Sequence, residues 1–371
     1  MKNLLKKLIQ AQSTEQTGEL AAATVLGEYL AANNIQSRID KWDNSRANLT
    51  AHIKSTRQKP ALLFSAHLDV VPPGDEPWRF DPFSGTEENG KIHGRGSTDM
   101  KGGIAATAAA IAEVVKETGP LKGDLILTAT AGEESDSCGT KRFIKNHCAD
   151  LGELAGVIIS EPTDFNIITA HRGMCWLEVT TKGKSAHGSM PHLGINAITH
   201  MTSVIERLKD YKIPHQQHPL LGDCSMSINQ INGGNAVNII PDLCSIKIDI
   251  RLLPAQNCQA IIDDIEKVLL QLKKDIPQLD TQVKLIRKMD ALETDTDSEL
   301  VKSICQIAEV DRSIAVGFTT DGPFFSTLNT PVAIFGPGDS SLCHQPNEYI
   351  DFADVEKAKQ LYKEIIRKFL T

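Results

Sequence analysis

The sequence predicts an α/β protein: a mixed-sheet domain interrupted by an inserted β-α-β-β-α-β unit of ferredoxin-like order. Three observations carry this reading. Three short, almost wholly apolar runs (60–67, 124–131 and 156–160) each end in imidazole or carboxylate and are separated by helical stretches, as expected of strands buried on both faces. From Gly173 the texture changes to alternating strands around two amphipathic helices. Val332 to Phe335 then restores the apolar texture, so the second pattern is an insertion. The 371 residues exceed the roughly 250–300 at which one core stops growing, which also favours two domains. The expected boundaries are 1–172 and 290–371 for the first domain and 173–289 for the insert.

Taken in order, Met1 to Gln10 reads as a surface helix, with Leu4, Leu5, Leu8 and Ile9 at helical spacing. Thr17 to Asn33 is a second amphipathic helix, and Ala47 to His52 is weakly strand-like. Pro60 to His67 is the first buried strand, ended by Asp69, Pro72, Pro73 and Gly74. Trp78 to Phe83 is a loop with aromatic anchors that serve packing. Four glycines then crowd around Asp99 in Gly94–Gly103, ahead of the alanine-rich helix Ile104 to Val115. Glycine permits tight turns and close backbone approach, so this stretch is a turn opening a buried helix. A phosphate loop would need GxxxxGK[ST]; here the loop's acid stands where an anion would bind, which favours a cation. Asp124 to Ala131 and Gly156 to Ser160 complete the buried strands, ending near Glu133, Glu134 and Glu161.

In the insert, strands over Cys175 to Lys182, Ser225 to Ile231, Leu243 to Leu253 and Thr281 to Arg287 alternate with helices over Asn196 to Leu208 and Ala260 to Leu272. The chain closes on a helix from Phe352 to Leu370. Net charge of −8 argues against nucleic acid or an anionic membrane as partner, and no run reaches the ~20 apolar residues of a membrane span. Eight cysteines without a CxxC pair suggest a cytoplasmic protein with reduced thiols.

The polar groups at the strand ends are His67, Asp69, Asp99, Glu133, Glu134 and Glu161, with His344 near the C-terminus. Any one of them alone is more often a hydrogen-bonded structural group. Gathered in one dry pocket they would repel, and unpaired buried charges cost several kcal/mol each. Divalent cations remove that repulsion. Two imidazoles with three carboxylates suit zinc or a similar transition metal, because calcium and magnesium prefer all-oxygen shells.

His67-Leu68-Asp69, the GRGSTDMKGG loop, Gly132-Glu133-Glu134, Ser160-Glu161-Pro162-Thr163 and the late His344 together resemble the M20 metallopeptidase/deacylase family. The resemblance covers nearly the whole chain. It implies a metal-hydrolase catalytic domain with an inserted lid and dimerisation domain, and two divalent ions, zinc first, cobalt or manganese as alternatives. Asp99 would bridge both ions, with His67 and Glu161 completing one site and Glu134 and His344 the other. Asp69 would orient His67 through its second ring nitrogen, and Glu133 would be the general base. The motif Ser185-Ala186-His187-Gly188-Ser189 matches the family's oxyanion-binding histidine, which is supplied across a homodimer. Arg251 would bind the substrate α-carboxylate, with Asn238 nearby and Arg172, Thr320 and Gly322 as further pocket candidates. The Asp99–Met100 peptide bond is implied to be cis.

The implied activity removes the acyl group from an N-acyl-L-amino acid by attack of a metal-bound hydroxide. N-acetylornithine is the first expectation, from the tail around His344. Desuccinylation of N-succinyl-diaminopimelate, or carboxypeptidase or dipeptidase action, are the alternatives. A binding protein that has kept the fold and lost catalysis would show a broken donor set or a missing base, and neither occurs here.

Overall fold

A computed structural model describes residues 1–371. In chain order it runs α1 (Lys2–Gln10), α2 (Leu20–Ala32), β1 (Ser37–Lys41), β2 (Ala47–Ile53), β3 (Ala61–His67), β4 (Thr86–Glu88), β5 (Lys91–His93), α3 (Gly102–Glu117), β6 (Leu125–Thr130), α4 (Cys138–His147), β7 (Leu154–Ile159) and β8 (Ile168–His171). It continues through β9 (Gly173–Lys182), β10 (Ala186–His187), α5 (Ala197–Lys209), β11 (Ser225–Gly233), β12 (Ile239–Ile240), β13 (Leu243–Leu252), α6 (Cys258–Asp275), β14 (Asp280–Met289) and β15 (Leu292–Glu293). The last elements are α7 (Glu299–Ala308), β16 (Ile314–Val316), α8 (Gly322–Ser326), β17 (Val332–Ile334), β18 (Tyr349–Asp351) and α9 (Phe352–Leu370). Two compact units result. One comprises Met1–Thr169, Thr294–Ile314 and Thr320–Thr371; the other comprises Ala170–Glu293 and Ala315–Thr319.

In the first unit the strands run β1-β2-β6-β3-β7-β17, with β17 also meeting the first residue of β8. Pairings within β6-β3-β7-β17 are parallel; β1 and β2 join antiparallel at one side. Every residue of β3 and β6 is buried, which explains why these strands read as unbroken apolar runs. Helices α1, α2, α3, α7 and α9 pack their apolar faces into one cluster with the sheet. The parallel strands point their C-terminal ends the same way, the side where an open α/β sheet collects ligands. The helix α3 begins hard against one of those ends: a Cβ on Gly103 would lie 2.0 Å from the carbonyl oxygen of Ser160. A small sheet, β18-β5-β4, ties the segment after His344 to the stretch before the Asp99 turn.

The second unit is a four-stranded antiparallel sheet, β11-β13-β9-β14. In chain order that is second, third, first, fourth, the arrangement of a β-α-β-β-α-β unit. Helices α5 and α6 share its buried cluster with the sheet. Each helix is started by an asparagine whose side chain accepts two main-chain N–H groups: Asn196 for α5 and Asn257 for α6. Cys175 and Cys258 form a disulfide in this core, with Cα atoms 6.1 Å apart. That corrects the expectation of eight reduced thiols. Packing of β9 on the start of α6 unites two cysteines separated by 83 positions, which no local spacing reveals. The other six cysteines are free.

Candidate active site

Strand β3 delivers His67 into the interior, where its side chain is 2% exposed. Its Nδ1 donates to the main-chain carbonyl of Asp69 at 2.9 Å, so Nε2 is the atom presented to the pocket. Asp99 stands in an irregular turn, Ser97–Lys101, ahead of α3, and the Asp99–Met100 bond is cis. Gly96 enters that turn at φ +82°, and a Cβ there would lie 2.4 Å from Val70. Glu134 follows β6 through Gly132 at φ +78°, Glu161 follows β7, and His344 sits in a loop before β18.

These five side chains converge as two groups that share Asp99. His67, Asp99 and Glu161 form one and Asp99, Glu134 and His344 the other, with the ligand atoms of each group all within 4.8 Å of one another. Nε2 of His67 lies 3.0 Å from Asp99 Oδ1 and 3.5 Å from Glu161 Oε1. Nε2 of His344 lies 3.0 Å from Glu134 Oε1 and 3.3 Å from Asp99 Oδ2. The shared carboxylate therefore offers one oxygen to each group. Burial raises the carboxyl of Glu161 to about 7 and raises that of Glu134. The hydrogen bonds that His344 donates to Asp99 and Glu134 push its imidazole up to about 10. Burial works against charge on Asp99, yet its bonds from His344 and His67 hold it below the usual carboxylate range. Such a crowd of acids around two imidazoles is the donor set expected to take up cations.

Glu133 is directly beside Glu134. Burial raises its carboxyl well above the usual range, and although His67 opposes this, Asp321, Glu161 and Glu134 add to the rise. Asp69 departs from expectation. Its carboxylate is 3.7 Å from His67 Nδ1, outside hydrogen-bond range, and His67 is oriented instead by the Asp69 main-chain carbonyl. The carboxylate accepts three successive amides, from Gly132 at 2.9 Å, Glu133 at 3.2 Å and Glu134 at 3.0 Å. Asp69 thus anchors the turn that carries Glu133 and Glu134. Thr320 and Gly322 open α8 in the same unit, with the Gly322 N–H donating to Thr320 Oγ1 at 3.1 Å. Between them Asp321 is buried and accepts from Thr140 Oγ1. Cys138 and Cys343 are kept as thiols by burial; the first is pushed up to about 12.

His187, Asn238, Arg251 and Arg172 belong to the second unit. His187 is exposed on β10, which pairs with β12. The Ser189 N–H donates to its Nδ1 at 3.2 Å, which leaves the neutral ring with its proton on Nε2. The carbonyl of Asn238 accepts from the Gly188 N–H at 2.8 Å, so the His187 segment and Asn238 are neighbours. On β13, Arg251 donates through Nε and Nη2 to Asp249 Oδ2 at 3.2 and 3.1 Å. Asp249 is also held by Trp176 Nε1 at 3.1 Å. Arg172 Nη2 donates to the Leu221 carbonyl at 2.7 Å. Sequence reasoning missed Asp249 and Asp321, lone acids whose only signal is that each lies within two residues of a named group, and gave no role to Glu348, which stands in the tail four residues after His344.

The model of peptidase family M20/M25/M40 matches residues 63–368, which include every donor above. The chain belongs to this family. As an M20 protein it is an enzyme, a hydrolase. A probable succinyl-diaminopimelate desuccinylase of Staphylococcus epidermidis is 32% identical over 401 aligned positions, covering 99% of this chain and 97% of that protein. An acetylornithine deacetylase of Proteus mirabilis is 32% identical over 366 positions, covering 96% and 91%. Among solved structures, an M20 family metallo-carboxypeptidase of Sulfolobus solfataricus superposes with a TM-score of 0.80 at 20% identity, covering 99% of this chain and 98% of that one. That last likeness speaks to the M20 fold, a mixed α/β catalytic domain with a smaller inserted one.

Proposed function

We propose that this M20 hydrolase is a metal-dependent deacylase that cleaves the amide of an N-acyl-L-amino acid. The observation that carries the reading is the pair of donor groups joined through Asp99. His67, Asp99 and Glu161 would hold one divalent ion and Asp99, Glu134 and His344 the other. Two imidazoles and three carboxylates suit zinc, with cobalt or manganese as substitutes. Ions bound there supply Lewis acidity and lower the pKa of water towards ~7.

The chain's own groups do the rest. Glu133 accepts the proton of the attacking water and returns it to the departing amine, a role helped by a carboxyl raised through burial. Asp69 keeps Glu133 aimed by holding its amide and its neighbours' amides. His187 donates from Nε2 to the developing oxyanion. Arg251 grips the substrate carboxylate with the end of its fork that Asp249 leaves open. Asn238, Arg172, Thr320 and Gly322 are proposed to complete the pocket.

The tail around His344 favours N-acetylornithine as the substrate of that deacylation. The name of the Staphylococcus epidermidis relative favours N-succinyl-diaminopimelate as a second reading. A homodimer through the second unit is proposed as well. One edge of its sheet, β11, lacks a partner strand, and Ile198, Ile231, Ile239 and Leu243 are exposed in that unit. The deciding experiment is a panel of N-acetylornithine, N-succinyl-diaminopimelate, other N-acyl amino acids and dipeptides with the metal-loaded enzyme. Turnover of peptides alone would overturn the deacylase reading.

A further inference from the structure

We infer that Glu348 is a positioning residue whose buried carboxylate shapes the turn that aims Asp99. Its side chain is fully buried and both oxygens are doubly occupied. Oε1 accepts the N–H of Thr98 at 2.9 Å and of Asp99 itself at 3.1 Å. Oε2 accepts the N–H of Gly96 at 3.0 Å and Nη1 of Arg95 at 2.6 Å. The main chain repeats the grip, since the Gly94 N–H donates to the Glu348 carbonyl at 2.9 Å. Thr98 Oγ1 also donates to the carbonyl of Tyr349.

The turn needs this because it precedes α3 and bends through a left-handed glycine, so the amides of Gly96, Thr98 and Asp99 depend on Glu348 as their acceptor. An apolar residue at 348 would strand three donors and one guanidinium in the interior. Asp99 is tied through its own N–H, one residue's length from the carboxylate that both donor groups share. Glu348 also lies four residues after His344 and leads into β18. One short segment thus ties the Asp99 turn to the loop bearing His344. Asp69 does the same for the turn bearing Glu133 and Glu134. Each of these two turns is moulded on a carboxylate that collects three main-chain amides, and neither carboxylate is itself a proposed ligand.

This inference rests on the proposed metal site, and its test reads metal binding as well as turnover. The full-length protein is stripped with a chelator and titrated with cobalt(II), following stoichiometry by calorimetry and geometry by visible absorption. Glu348→Gln offers one accepting oxygen in place of two and turns an NH2 towards existing donors. It should lower cobalt affinity about 10–100-fold, the usual range for groups that orient ligands, and alter the visible bands. Leu300→Ala, a cavity in the same unit packed beside Gly156, is the control. It should lower the melting temperature while binding cobalt as the wild type does. Should Glu348→Gln fail to fold, Glu348→Asp keeps the charge but withdraws it by one methylene, and the same loss is expected. A folded variant with wild-type cobalt affinity and spectrum would overturn the inference. A wild-type protein that takes up no cobalt would instead overturn the metal reading, and this inference with it.

Discussion

Asp69→Asn separates two accounts of one residue. If the carboxylate orients His67, the substitution weakens the group His67, Asp99 and Glu161. If it anchors the Gly132–Glu134 turn, as its three bonds of 2.9, 3.2 and 3.0 Å indicate, the loss falls on Asp99, Glu134 and His344. An asparagine whose oxygen replaces Oδ1 keeps the Gly132 and Glu133 amides but turns an NH2 against the Glu134 amide. One charge-assisted bond is lost, worth about 1.5–3 kcal/mol, or roughly 10- to 150-fold in affinity. Competition against a chromophoric chelator measures it in two backgrounds. With His67→Ala, which isolates the second group, Asp69→Asn should cost that factor in zinc affinity. With His344→Ala, which isolates the first, it should cost less than about threefold. The reverse pattern would refute the anchoring account and restore the His67 one.

Glu133→Gln should keep both metal ions and its fold while kcat falls by about 10²–10⁴, since a proton shuttle is lost and not a ligand; equal loss of metal by elemental analysis would contradict its role as base. Asp99→Ala removes the donor common to both groups, so metal content and activity should disappear together, and an Asp99→Ala enzyme with full turnover would end the dinuclear reading. Mixing inactive Glu133→Ala and His187→Ala chains should restore roughly a quarter of wild-type activity if random dimers form, because one site in each mixed dimer is whole. Mixed dimers confirmed by mass spectrometry yet inactive would mean His187 does not serve a partner. Asp124 offers a stability test away from the site. Burial opposes its charge, but bonds from Ser55 and His52 prevail and lower its carboxyl from 3.8 to about 2. Its contribution is therefore complete above about pH 4 and fades as pH falls through about 2. Urea midpoints of Asp124→Asn should trail the wild type at neutral pH and converge with it near pH 2.

The parts of the fold legible in sequence are those whose burial leaves a composition signal. β3 and β6 are buried at every position and so appear as apolar runs, while α9 shows its amphipathic period over the full span 352–370. β1, mostly exposed at the sheet edge with the sequence SRIDK, leaves no such trace. His67, Glu134 and Glu161 stood out because each ends or follows an apolar run, and Asp99 because it sits among glycines; His344 stood out only through the resemblance. What holds them did not stand out. Glu348 reaches amides about 250 positions away, and the Asp69 carboxylate, two residues from His67, serves residues more than sixty positions downstream. Hydrogen bonds of this kind depend on how the chain closes in three dimensions, and local pattern carries no record of it. The same holds for Cys175 and Cys258.

The contact of Gly103 with Ser160 makes backbone thickness a gauge for the pocket. Helix α3 and the end of β7 touch main chain to main chain, so the distance between the Asp99 turn and Glu161 cannot be shortened further. Any side chain at 103 would drive the two apart by more than an ångström, whereas ligand distances around a metal tolerate only about 0.2 Å. Variation in which ion this scaffold favours must then come from exchanging donor atoms, not from stretching the frame that carries them. A search for altered metal preference is better aimed at 161 or 134 than at the helix and strand behind them.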